Sequence, residues 1–102
     1  GLIVLVSFIS PYRAERMLAR DCVEEGEFLE IFVDTPVEEC RRRDPKGLYR
    51  RADAGQIRNF TGVDAPYEEP LDPELRLTTM SAPPEVLAEQ VVRELRGRGI
   101  IG

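Results

Sequence analysis

The sequence predicts an α/β fold in which helices flank a parallel β-sheet. Two apolar runs, residues 2–9 and 28–33, lack polar alternation, which is typical of strands covered on both faces. A helix is predicted after each run, from apolar residues at helical spacing after the first and from capping-box spacing after the second, so the elements come in β-α-β-α order. The composition, 42% hydrophobic and 32% charged over 102 residues, is that of an ordinary globular protein.

The first strand and helix are predicted around Ser10 and Pro11. Residues 2–9 form the strand, and the helix covers residues 12–25 and ends at Gly26. Ser10 has the position of an N-cap, and Pro11 that of a first-turn residue. The turn at Ser10 therefore lies at the carboxyl edge of the sheet, where nucleotide ligands of open α/β folds collect.

The remaining elements follow from the same kinds of pattern. Residues 28–33 form a second strand, and Thr35 and Glu38 have capping-box spacing at the start of another helix. Residues 75–79 are a candidate third strand, and an apolar stripe predicts a last helix over residues 85–96. About three strands and three or four helices can thus be drawn.

Residues 44–73 are predicted to form a lid or binding loop. This stretch is rich in Gly, Pro, Asp and Arg, and it is too long for a simple connection in a compact domain. Residues 41–58 hold seven basic and two acidic side chains, although the whole chain carries a net charge of −5. Such a basic island suits a small polyanion such as a nucleotide, and no nucleic-acid partner is expected.

Cysteine usage and hydropathy indicate a cytoplasmic protein without a membrane partner. No apolar run is long enough to cross a bilayer, and residues 2–9 lack the features of a signal peptide. Cys22 and Cys40 are far apart and the chain has no histidine, so neither a zinc site nor a disulfide is predicted. No residue of the chain is assigned as a metal ligand.

The predicted sheet is incomplete at its N-terminal side. Strands buried on both faces need neighbouring strands and helices on both sides, and few elements can be drawn here. Alone, residues 2–9 would expose an apolar strand edge, which favours aggregation. We therefore expect residue 1 to fall in the middle of a domain whose remaining strands lie upstream.

Four motifs follow one another along the chain. They are Phe8-Ile9-Ser10-Pro11-Tyr12-Arg13, Phe32-Val33-Asp34-Thr35-Pro36, Asp44-Pro45-Lys46-Gly47-Leu48-Tyr49 and Asn59-Phe60-Thr61-Gly62-Val63-Asp64. Their order and spacing resemble those of the adenylylsulfate (APS) kinases, and the similarity covers nearly the whole chain. Residues 1–102 are therefore interpreted as the C-terminal portion of a single APS kinase domain, with a lid at about 44–73.

The resemblance implies a P-loop kinase fold and transfer of the ATP γ-phosphoryl group to the 3′-hydroxyl of adenosine 5′-phosphosulfate, giving 3′-phosphoadenylylsulfate. It implies Mg²⁺ with ATP, a homodimer, and possible fusion or association with ATP sulfurylase. The Walker A loop that holds the ATP phosphates is absent from these residues and lies N-terminal to Gly1 in the family. These residues alone are therefore expected to be inactive.

The resemblance also implies a set of substrate-binding residues. They are Ile9, Ser10, Lys46, Asn59 and Phe60. Ile9 and Ser10 match backbone contacts to APS, and Lys46 matches a contact to its anion. Phe60 matches one face of a stacking clamp on the adenine, with Asn59 beside it.

Ser10 has two further interpretations. The matching serine of the family is given as a phosphoserine intermediate, which would make Ser10 catalytic and the protein a phosphoprotein. The alternative is a plain N-cap, because in-line transfer straight to the substrate hydroxyl needs no protein nucleophile.

Basic lid residues are implied to close on phosphate charge, with an ordinary charged helix face as the alternative. They are Arg43, Arg50, Arg51 and Arg58. Asp53 stands where relatives usually carry a basic residue, so it inherits no phosphate role. The loop from Thr79 to Ala82 matches the family's main-chain contact to the ATP adenine.

Two other functions compete with the kinase. One is a catalytically inactive kinase-like domain that binds 3′-phosphoadenylylsulfate and regulates ATP sulfurylase, and the other is a kinase of another small metabolite. Intact Lys46, Asn59 and Phe60 favour the APS kinase. The discriminating feature is whether a complete Walker A loop precedes Gly1.

Overall fold

The computed structural model describes residues 2–102, which form four helices and a two-stranded parallel sheet. The elements are α1 (Arg13–Asp21), β1 (Ile31–Asp34), α2 (Val37–Arg43), α3 (Leu48–Asp53), β2 (Leu75–Thr78) and α4 (Pro84–Gly97). The predicted α/β class with a parallel sheet is confirmed. Among the helices of residues 2–102, none has the length and apolarity needed to cross a bilayer.

The two strands pair although α2, α3 and a long loop separate them in sequence. Ile31 lies opposite Leu75, and Phe32 lies opposite Arg76, so Phe32 and Leu77 face opposite sides of the sheet. Helix α4 packs on β2. The buried apolar side chains of the described residues are Phe32, Ala52, Leu77 and Leu87.

The predicted strand over residues 2–9 is wrong for the part of the chain that the structure describes. The segment forms no strand, and its apolar side chains are exposed, with Leu2 at 95% and Phe8 at 82%. A strand needs a neighbour to bond its backbone groups, and β1 and β2 make the only sheet that residues 2–102 form. The radius of gyration is 15.6 Å, whereas a compact domain of this length has about 13 Å.

Helix α1 is shorter than predicted, and Ser10 is not its cap. The helix begins at Arg13 and ends at Asp21, and its N-cap residue is Tyr12. Ser10 instead has a positive φ of 44°. The first turn is capped from a distance, because a carboxylate oxygen of Glu68 accepts the Arg13 N–H at 2.8 Å.

The predicted capping box at α2 is also wrong. The N-cap residue is Pro36, and no side chain caps the helix. The Thr35 hydroxyl lies 2.6 Å from the Thr79 hydroxyl instead, which links the ends of β1 and β2. Predicted strands 28–33 and 75–79 and helix 85–96 correspond to β1, β2 and α4 with small shifts in their ends.

Helix α3 was not predicted, and it lies within residues 44–73. Asp44 stabilises its first turn, because its two carboxylate oxygens accept the N–H groups of Tyr49 at 3.0 Å and Arg50 at 3.2 Å. Gly47 supplies the left-handed residue before the helix, with φ of 67°.

Candidate functional site

A cleft of about 1160 Å³ runs between residues 4–10, β1 and the loop over residues 60–70. It extends to Asp34 and Thr35, where β1 ends. Ligands of open α/β sheets collect at this edge. Three predicted substrate-binding residues line the cleft, namely Ile9, Ser10 and Phe60.

The backbone of Ser10 is held by an arginine that sequence reasoning missed. Arg16 donates from Nη1 to the Ser10 carbonyl at 2.5 Å, from Nη2 to the Glu68 carbonyl at 2.5 Å, and from Nε to Glu30 at 3.1 Å. The Arg16 side chain is only 11% exposed. No spacing rule indicates this role, since Glu68 lies 52 residues away in sequence.

Phe60 lies in a loop with two fixed points. The Asp64 carboxylate accepts the N–H groups of Asn59 at 2.8 Å and Phe60 at 2.5 Å, and these bonds lower the pKa of Asp64. The Phe60 and Tyr49 rings form an edge-to-face pair, with 5.0 Å between centroids and an angle of 76°. Asn59 is exposed and does not line the cleft.

The basic side chains of residues 41–58, which include the four predicted lid arginines, fall into two groups. In the first group, Arg41 pairs with Asp53 at 2.8 Å, and Arg42 and Arg43 both pair with Glu39, at 2.5 Å and 2.8 Å. Within residues 2–102, the other group is exposed and has no carboxylate within the 4.0 Å of an ion pair. It consists of Lys46, Arg50, Arg51 and Arg58.

Arg43 and Arg50 do not reach the main cleft. They line a second cavity of about 280 Å³ together with Tyr49 and Asp53. Tyr49 lies between the main cleft and this second cavity. Its ring contacts the Phe60 ring, and the Arg41 guanidinium lies 5.6 Å from the centroid of the Tyr49 ring.

The ion pairs of Glu39 predict a measurable acid titration. Hydrogen bonds from Arg42 and Arg43 lower the pKa of Glu39 from 4.5 to about 2. Because the pKa of the folded state is depressed, this stabilisation is complete above pH 4.5 and is lost as the pH falls towards 2. We expect a carboxyl-carbon NMR titration of Glu39 with a midpoint near pH 2.

The control for this titration is an Arg42→Gln/Arg43→Gln variant, in which the midpoint returns towards 4.5. A wild-type midpoint near 4.5 would show that neither arginine holds the carboxylate in solution.

Thr79 and Ala82 lie beyond the end of β2 and do not line the main cleft. The Thr79 hydroxyl donates to the Asp34 carbonyl at 3.1 Å, and its N–H bonds the same oxygen at 3.2 Å. The loop that begins at Thr79 is thereby attached to the end of β1.

Within residues 2–102, no three His, Cys, Asp or Glu side chains come together as metal ligands. Magnesium at a kinase site is held largely by substrate phosphates and water, with one or two carboxylates. Asp34, at the edge of the cleft, is paired with Arg76.

The model of the adenylylsulphate kinase family matches residues 1–78. This chain belongs to that family. The match covers all four motifs on which the resemblance rested, so the predicted family is confirmed.

The relatives that this chain resembles include proteins of two kinds. The bifunctional enzyme NodQ of Rhizobium tropici is 62% identical over 98 residues, which are 96% of this chain and 16% of that protein. The adenylyl-sulfate kinase of Vibrio vulnificus is 55% identical over 101 residues, which are 99% of this chain and 49% of that protein. The chain thus spans about half the length of the kinases it matches.

A solved adenylylsulphate kinase confirms the fold. The Mycobacterium tuberculosis APS kinase CysC, solved in complex with AMPPNP and APS, superposes with a TM-score of 0.77 at 44% identity. The superposition covers 87% of this chain and 52% of that chain. The predicted P-loop kinase fold is therefore confirmed, and the small sheet described above is one part of it.

Proposed function

We propose that the protein carrying this chain transfers the γ-phosphoryl group of ATP to the 3′-hydroxyl of APS, giving 3′-phosphoadenylylsulfate for sulfate assimilation. The observation that carries the proposal is the cleft at the end of β1, which gathers Ile9, Ser10 and Phe60 in a member of the adenylylsulphate kinase family. The Mycobacterium relative was solved with an ATP analogue and with APS, which supports the same two substrates here.

Phe60 would stack on the adenine of APS, and the backbone of Ile9 and Ser10 would contact the rest of the nucleotide. Stacking suits Phe60 because any base offers a π-face to an aromatic ring. Arg16 fixes the Ser10 carbonyl, so the backbone, and not the hydroxyl, is the part of Ser10 whose position is secured. Direct in-line transfer needs no protein nucleophile, and a phosphoserine at Ser10 is the alternative.

The lid over residues 44–73 would close on the bound phosphates. Lys46 and Asn59 do not line the cleft, so the proposal requires the lid to bring them towards the substrate. Exposed Lys46, Arg50, Arg51 and Arg58 would neutralise the charge of phosphosulfate and triphosphate, which otherwise repel each other. Arg43 could join them only by exchanging its pair with Glu39 for a phosphate.

ATP would bind at the neighbouring end of β2, with Thr79 and Ala82 contacting its adenine through main-chain groups. Mg²⁺ would arrive with ATP and neutralise phosphate charge when bound. We further propose a cytoplasmic homodimer. Fusion to ATP sulfurylase is favoured by the similarity to the bifunctional NodQ enzymes.

A chimera tests this function. In the chimera, the chain replaces the 49% of the Vibrio vulnificus kinase that it matches, and the rest of that kinase is kept. We expect ADP release that requires both ATP and APS, whereas the 102-residue chain alone gives none. A chimera that binds 3′-phosphoadenylylsulfate and releases no ADP would favour the inactive regulatory domain. ADP release with another acceptor, and none with APS, would favour a different kinase.

A further inference from the structure

Asp64 makes contacts that an ordinary exposed turn aspartate does not make. Its two carboxylate oxygens each accept a backbone N–H, from Asn59 at 2.8 Å and from Phe60 at 2.5 Å. Both donors lie earlier in the chain, so the carboxylate closes the loop back on itself. Bonds to an ionised acceptor are the stronger kind, and two of them fix the plane of the backbone at Phe60.

The backbone at this place needs such support. Asn59 has a φ of 54°, in the left-handed region that side chains other than glycine seldom adopt. Asparagine tolerates that conformation better than most residues, but the peptide that follows must still be held in place. The Asp64 carboxylate accepts the N–H of Asn59 and the N–H of the following residue, Phe60. These two bonds hold the backbone of Asn59 in its strained conformation.

The other side of the loop is fixed by packing. Gly62 has a φ of 88°, and a Cβ on it would meet the Val37 side chain at 3.1 Å, so the loop lies directly on α2. The Tyr49 ring meets the Phe60 ring edge to face. The direction of the Phe60 ring is therefore determined by Asp64 through the backbone and by Tyr49 through the side chain.

We propose that Asp64 is a positioning residue for APS, which holds the Phe60 ring in the orientation that stacks on the adenine. The inference rests on the proposed function, because it assumes that Phe60 binds APS. It assigns Asp64 no contact with the substrate and no proton transfer. Both bonds lie within the loop over residues 59–64, so the loss of one of them acts mainly on the geometry of that loop.

The test is an Asp64→Asn variant, which keeps one acceptor oxygen and replaces the other with an NH₂ group that cannot accept. In the chimera, we expect amide hydrogen exchange at Asn59 and Phe60 to become about three- to tenfold faster. In the chimera, the KM for APS rises about three- to tenfold, while kcat and the KM for ATP stay unchanged. Asp72→Asn, a change at another exposed aspartate of the same region, alters neither quantity.

A double-mutant cycle with Phe60→Ala separates the inference from the proposed function. If Asp64 acts through Phe60, the KM for APS of the double variant equals that of Phe60→Ala alone. If Phe60→Ala raises this KM and Asp64→Asn does not, the positioning role is wrong and the function stands. If Phe60→Ala leaves the KM for APS unchanged, the proposed binding role of Phe60 fails, and the inference fails with it.

Discussion

In the chimera, replacing Phe60 with alanine raises the KM for APS about 5- to 150-fold and leaves the KM for ATP unchanged. Stacking of a base on an aromatic ring contributes about 1–3 kcal/mol by alanine substitution, and about 1.4 kcal/mol corresponds to tenfold in affinity. The ring lines the cleft and is half-buried before any ligand binds. Little ordering is then needed on binding, so most of the stacking free energy appears in the KM.

The matched controls for this prediction separate the π-face from the bulk of the side chain. Phe60→Leu keeps an apolar side chain and loses the ring, so its KM should lie close to that of Phe60→Ala. Phe60→Tyr keeps the ring, so its KM should stay near the wild-type value. Recovery of wild-type KM by leucine would contradict stacking and favour simple packing of the loop against Tyr49.

The elements that the sequence predicted well are those whose pattern is local. Strand β2 and helix α4 follow from an apolar run and an apolar stripe, and both form where expected. The meeting of Ile9, Ser10 and Phe60 in one cleft could be expected only from the family motifs, because no spacing rule relates residues 50 positions apart.

The features that the sequence missed depend on distant partners. Residues 2–9 have the composition of a strand, but a strand forms only beside another, and β1 and β2 pair with each other. Glu68 caps α1 and Arg16 holds the Ser10 carbonyl, and both contacts cross long stretches of chain. A local cap at Ser10 or Thr35 was the natural prediction, and tertiary hydrogen bonds replaced it in both places.

Replacing Phe32 with alanine is expected to lower the free energy of unfolding by about 3–5 kcal/mol, which is the usual cost of truncating a buried phenylalanine. Phe32 is 6% exposed, the Tyr67 ring lies 6.3 Å away, and the Arg76 guanidinium lies 5.4 Å from its centroid. Few other side chains of residues 2–102 are buried, so the cavity would not be refilled by neighbours. Urea denaturation of the chimera, followed by circular dichroism, measures the change.

Val33→Ala is the matched control, because Val33 lies next to Phe32 on β1 and is 61% exposed. It faces the side of the sheet opposite to Phe32, because successive side chains of a strand alternate between the two faces. Its loss should cost under about 1 kcal/mol, mainly through strand propensity. Equal costs for the two substitutions would mean that the upstream half of the chimera covers both faces of β1, and that the burial of Phe32 alone does not determine the stability of this sheet.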